Sequence, residues 1–198
     1  MKVLAVSLAI ALPASGLAAP ASPRADLAAN VSSIIDRFPA DTPAHRDSLC
    51  AEILKLGEEA VAEVCARVVP PGKGDDAKAR FAVNGLAVYV TRPGAEGERA
   101  FFARALLESL GRASDDQVAA FFLSQVQLVG RRESVRPLEK YLGDEKRAGP
   151  AAAALLEIGG PEATAALVAA VDKAPRDARL VLVQSLGEAR RREAVRKI

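Results

Sequence analysis

The sequence predicts an all-α protein, an α-solenoid of stacked antiparallel helix pairs. Three observations predict it: a composition rich in helix-forming apolar residues, apolar side chains at helical spacing in one segment after another, and a short pattern that recurs along the chain. The 198 residues are 50% hydrophobic and 26% charged, the balance of a folded chain rather than a disordered one. Ala, Leu and Val carry the apolar content, Trp is absent and aromatics make up 4%, so strand formers are scarce. A net charge of +2 gives no global attraction to nucleic acid or to an anionic membrane surface.

The recurring pattern is Glu, then Ala or Ser, then a β-branched residue, two variable positions, and Leu or Ile. It occurs at GRRESVRPL (130–138), GGPEATAAL (159–167) and RRREAVRKI (190–198), with Glu133, Glu162 and Glu193 spaced by 29 and 31 residues. Glu59-Ala60-Val61 repeats the form near the front, 74 residues before Glu133, while the stretch 75–111 between them fits poorly. Each copy follows an amphipathic run. Leu49, Ile53 and Leu56 share a face, as do Val118, Phe122, Val126 and Val129, and Ala151, Leu155 and Ile158. The second runs are Val135, Leu138 and Leu142, and Ala163, Leu167 and Val171.

Punctuation agrees with this division. Thr42-Pro43 reads as a helix cap followed by Pro at the first helical position, and Ser114 or Asp115 caps a later helix. Gly57, Gly130 and Gly159 stand where one helix ends and the chain reverses. Ala87-Val88-Tyr89-Val90 is the one strong strand-like run and is read as helix. The expectation is a helix over 26–38, then about five pairs over 43–69, 75–110, 115–142, 145–173 and from 176 onward. The last pair reverses at Arg190-Arg191-Arg192 and is cut short at Ile198, midway through its second helix.

The N-terminus is expected to be a signal peptide over 1–19. Lys2 precedes an apolar run, Val3–Leu12, which is too short to span a bilayer, and Pro13 and small residues follow. Cleavage is expected near Ala18 or Ala19, with a later cut near Ala21 as the alternative. Residues 20–25 read as a linker and 26–198 as the repeat domain. The mature protein is then periplasmic or secreted, with no membrane insertion after cleavage.

The stretch Ala154–Leu167 (ALLEIGGPEATAAL) resembles the bacterial HEAT-like repeat, also called the phycobilisome-lyase type repeat. Ser185-Leu186-Gly187-Glu188 with Glu193-Ala194-Val195 is similar to it, although Arg190 and Arg192 replace the usual Gly and Pro. The resemblance covers 115–198 well, 43–69 more weakly and 75–111 poorly. It implies a right-handed solenoid that binds proteins, and it brings no catalytic residues. Some members of that family attach tetrapyrroles to proteins and some HEAT-like proteins bind DNA; neither activity follows from the repeat alone.

Chemistry-bearing residues are few. Cys50 and Cys65 lie symmetrically about the turn at Gly57-Glu58, so they read either as a disulfide clamping the first pair or as two buried thiols. The one histidine, His45, falls in the first turn of a helix and reads as an exposed helix-start residue rather than a general base. No nucleophile elbow, zinc-protease motif or phosphate-binding loop is present. Arg131 and Arg132, with Arg190, Arg191 and Arg192, stand at matching turn positions. Stacking would align them as a basic interaction edge; the plainer and favoured reading is solvated turn charge offset by Glu133, Glu188 and Glu193. The expectation is a non-catalytic scaffold for a protein partner, with no metal, cofactor or nucleic acid. One alternative is an accessory region of a longer enzyme or cofactor-binding protein; a second, on family analogy, is a tetrapyrrole lyase or chaperone.

Overall fold

A computed structural model describes residues 23–195, so the expected signal peptide and the first part of the linker lie outside the described residues. Among the described residues there are only helices and connections. They are α1 (Pro23–Ile35), α2 (Pro43–Lys55), α3 (Glu58–Ala66), α4 (Ala77–Tyr89), α5 (Glu96–Arg112), α6 (Asp116–Val129), a 3-10 turn (Arg132–Ser134) running into α7 (Val135–Glu139), α8 (Ala148–Ile158), α9 (Gly160–Val171) and α10 (Arg176–Val195). None of them is long and apolar enough to cross a membrane.

The helices form two layers. The even-numbered helices stack in chain order, α2 on α4, α4 on α6, α6 on α8 and α8 on α10. The odd-numbered ones stack alongside, α1 on α3, α3 on α5 and α7 on α9, with the 3-10 turn bridging α5 to α9. This is the solenoid-like all-α fold that the sequence predicts, because a single helix pair leaves its apolar face bare until the next pair covers it. One continuous core runs between the layers. Leu49 and Ile53 of α2, Leu86 of α4, Phe102 and Leu106 of α5, Phe122 of α6 and Leu155 of α8 are all closed to solvent. Each such side chain contributes about 1.5–3 kcal/mol through the apolar surface it removes from water.

Local chemistry fixes the boundaries. Thr42 Oγ1 accepts from the His45 amide at 3.1 Å, with Pro43 opening α2. Asp115 Oδ1 accepts from the Gln117 and Val118 amides at 2.9 and 3.0 Å, which makes Asp115 the cap of α6. Gly57 and Gly159 turn the chain with φ of 91° and 67°, a region that costs other residues energy. Gly85 serves a different purpose: a Cβ there would lie 3.2 Å from Arg46 Cγ and 3.3 Å from Cys50 Sγ, so its absence lets α4 close on α2.

The structure departs from the expectation in three places. Pro23, the first described residue, is already helical, so α1 takes in part of the linker expected over 20–25. The second helix of the pair expected over 115–142 shrinks to the 3-10 turn and α7, and the chain from Lys140 to Arg147 turns instead of continuing it. Finally, α10 runs unbroken through Arg190, Arg191 and Arg192, where a reversal was expected. Gly57 and Gly159 hold positive φ, and Gly159 is followed by a second Gly and a Pro; arginines, which are good helix formers, stand where the last copy would need that Gly and Pro.

Candidate functional site

Three hollows lie on the face of the odd-numbered layer. The first, about 600 Å³, runs between α5 and the 3-10 turn with α7, lined by Ala100, Arg104, Leu107, Glu108, Gly111, Glu133, Ser134, Pro137 and Lys140. A second, about 820 Å³, is walled by Arg24, Leu27 and Ala28 of α1, Glu59, Ala62, Glu63 and Ala66 of α3, and Arg112 of α5. The third, about 650 Å³, lies over Gly160, Pro161, Thr164, Ala165, Val168 and Ala169 of α9. The first owes its existence to a mismatch in length. Helix α5 has 17 residues and α7 has 5, so the last turns of α5 have no full-length neighbour on that side.

The α5–α7 groove combines an apolar floor with a charged rim. Leu107 and Pro137 are half-buried in it. Arg104 and Glu108 stand exposed on α5, and Glu133 and Lys140 stand exposed opposite them. Lys140 Nζ lies 3.8 Å from where a Cβ on Gly111 would be and 4.9 Å from the centre of the Tyr141 ring. Ser134 also lines the groove. It is 0% exposed, and its hydroxyl has no hydrogen-bond partner. A buried polar group left unpaired costs about 1–3 kcal/mol, so its presence calls for a reason. The repeat supplies a comparison: the position after the pattern's Glu holds Ala60 and Ala163 in other copies, both fully packed without a hydroxyl. That departure is the one signal in the sequence that marks Ser134, and the reading from sequence passed over it.

The residues singled out from sequence do not assemble into a site. Cys50 and Cys65 are free thiols, both buried, and form no disulfide. The expected symmetry about the turn fails because the two side chains serve different contacts. Cys50 Sγ faces α4 at Gly85, whereas Cys65 has the Ser109 hydroxyl of α5 as its hydrogen-bonding neighbour. Burial pushes both thiols up to about 12, so they stay protonated and unreactive at neutral pH. His45 sits at the start of α2, as expected, but is half-buried there rather than exposed.

The basic edge is also corrected. Arg131 and Arg132 do occupy a turn, but Arg190, Arg191 and Arg192 lie inside α10, on a helix that does not reverse there. Arg132 is already paired, to Glu162 of the next odd helix at 2.6 Å, and Arg104 pairs with Glu58 of the previous one at 3.6 Å. Arg99, missed in the sequence, donates to the carbonyls of Leu128 and Val129 at 2.9 and 2.7 Å and so closes the C-terminal end of α6. Burial, and then the charge of Arg131 beside it, lowers the Arg99 pKa. Much of this charge is thus spent on the turns themselves.

The fold and the groove define a class: a solenoid-like, two-layered all-α protein with a row of hollows on one layer. Compared with known proteins, the chain matches no family model, and no curated protein matches it in sequence.

Proposed function

We propose that this chain is an exported, non-catalytic scaffold of the HEAT-like kind that binds a protein partner through the outer face of its odd-numbered helices. The observation that carries the reading is the row of three hollows on that one layer, each with apolar residues in its lining. Stacked helix pairs generate such extended faces as a by-product of repetition, and they suit a long partner segment better than a compact small molecule. The apolar run after Lys2 and the small residues around Ala18 and Ala19 support export. The stretch Ala154–Leu167 supports the HEAT-like assignment.

The test is capture from an extracytoplasmic extract with three baits: the wild-type protein, Val168→Arg on the odd layer, and Phe81→Arg on the even layer. Both substituted side chains are more than half exposed, so both variants should fold. A partner held by the wild type and by Phe81→Arg but lost from Val168→Arg supports the odd-layer reading. A partner lost only from Phe81→Arg moves the binding face to the other layer. No saturable partner on any bait counts against the scaffold reading itself.

A further inference from the structure

Resting on that scaffold reading, we propose that the groove between α5 and α7 is a peptide-docking groove. Its occupant is an uncharged, aliphatic-anchored segment of the protein partner whose backbone amide pairs with the Ser134 hydroxyl. First, Ser134 is fully buried at the groove and unpaired, while the equivalent Ala60 and Ala163 show that packing in this repeat needs no hydroxyl. A hydroxyl can donate and accept, and a peptide backbone offers a C=O and an N–H directly beside its own aliphatic side chains. Second, the rim carries both signs. Lys140 and Arg104, the latter also paired with Glu58, stand against Glu108 and Glu133, so the groove has no strong single-sign field with which to select a strongly acidic or basic segment. The apolar floor at Leu107 and Pro137 then selects aliphatic side chains. Third, the lining runs along α5 from Ala100 to Gly111, about three turns of helix, a length that suits an extended segment better than a compact ligand.

In the empty groove the hydroxyl is closed to solvent, so pairing requires Ser134 to move to another staggered χ1 well. An unpaired hydroxyl gives up no hydrogen bond by leaving its present well, and it gains one in the new well. The resting state is therefore the less satisfied of the two, and docking relieves it.

Phage-displayed random dodecapeptides selected on the immobilised protein supply the probe, and the most enriched sequence is then made as a synthetic peptide. Two variants test the groove. Ser134→Ala removes the hydroxyl, and Gly111→Leu fills the groove's far end. Gly111 lies inside α5, where the flexible end of Lys140 is its one close neighbour, so Leu there favours the helix while blocking the peptide. The expected result is a peptide with a branched aliphatic residue between uncharged neighbours. Its affinity should fall at least tenfold in Gly111→Leu and roughly 3–10-fold in Ser134→Ala, the loss of one hydrogen bond. The thermal midpoints of both variants should rise. That combination, weaker binding in a more stable protein, is what a purely structural Ser134 would not give.

A lower midpoint in Ser134→Ala shows that the hydroxyl serves the fold and overturns the proposal. So does a peptide that ignores both variants. If that peptide is lost in Val168→Arg instead, the scaffold reading stands and only the choice of groove fails. If no peptide is enriched above background, the groove proposal falls, and the capture experiment decides the scaffold reading separately.

Discussion

The same substitution, Gly→Ala, should have opposite effects at two glycines of this chain. Gly187 lies in the middle of α10, and a Cβ there would have nothing within 4 Å. Alanine should restrict the unfolded chain and favour the helix, stabilising by about 0.5–1 kcal/mol. For a chain of this size that raises the thermal midpoint by roughly 1–4 °C. Gly130 ends α6 with an unexceptional φ of −56°, so alanine is permitted there by the backbone. Space forbids it: a Cβ would lie 2.7 Å from the Val126 carbonyl oxygen and 3.1 Å from Ile158 Cδ1. Either the turn opens and strains the Gly130 N–H to Val126 hydrogen bond, or α8 moves away. Overpacking of this kind costs about 1–3 kcal/mol, a fall of roughly 2–12 °C. Thermal and urea unfolding followed by circular dichroism, on both variants beside the wild type, reads the two signs directly. If Gly187→Ala destabilises, the chain turns at Gly187 and the continuous α10 is wrong. If Gly130→Ala is neutral, α8 does not pack on that turn as described.

Three further outcomes are expected. Asp115→Ala removes two hydrogen bonds from the first turn of α6 and should destabilise by about 1 kcal/mol in urea melts, with Asp115→Asn recovering much of the loss. Cys50 and Cys65 should resist iodoacetamide at pH 8 in the native protein and label fully in guanidinium, because burial keeps both thiols protonated; a non-reducing gel showing a bonded pair would contradict this. The hydrogen bond from Lys146 to Asp116, with Arg147 assisting, holds the Asp116 carboxyl below its ordinary value. A depressed folded pKa gives stability that is complete above the ordinary carboxylate range, near pH ~4, and is lost as pH falls through the folded value. Below that range the wild type should therefore lose more stability than Asp116→Asn in melts taken from pH 6 to pH 2, and equal losses would remove the pair from the acid response.

Most of the fold was legible because repetition writes itself into sequence. Apolar side chains at helical spacing, the Thr42 and Asp115 caps, and the glycine turns at Gly57 and Gly159 are local signals, and each survives in the structure. Helix length was harder to read. The apolar spacing of Val135, Leu138 and Leu142 persists while the chain between Lys140 and Arg147 leaves the helix, since those side chains can be buried from a turn as well. The reversal expected at Arg190-Arg191-Arg192 failed for the complementary reason: likeness to the repeat placed a turn there, but arginines favour the helix and no Gly or Pro is present to stop it. The site was the least legible part. Ser134 is marked only by replacing Ala, and the groove beside it depends on how far α5 outruns α7, a property of two elements together. The arginines at the turns were visible, but their partners Glu58 and Glu162 belong to neighbouring repeats, and sequence does not say which charges meet.

The order in which the helices stack has a consequence for how the molecule comes apart. Every substantial helix–helix contact joins elements within three positions of each other along the chain. A protein wired this way closes short loops first and needs no distant segments to meet before it gains stability, so it should fold quickly for its length. The same wiring lets it open in stages. Helix α10 is held by α8 and α9 and carries Leu180 and Val183 bare on its far side, whereas α6 is clasped by α4, α5 and α8. Amide hydrogen exchange should therefore rise toward α10 as a gradient, with slow exchange centred on α6. A protein of this construction can loosen at one end while the groove at its middle stays whole.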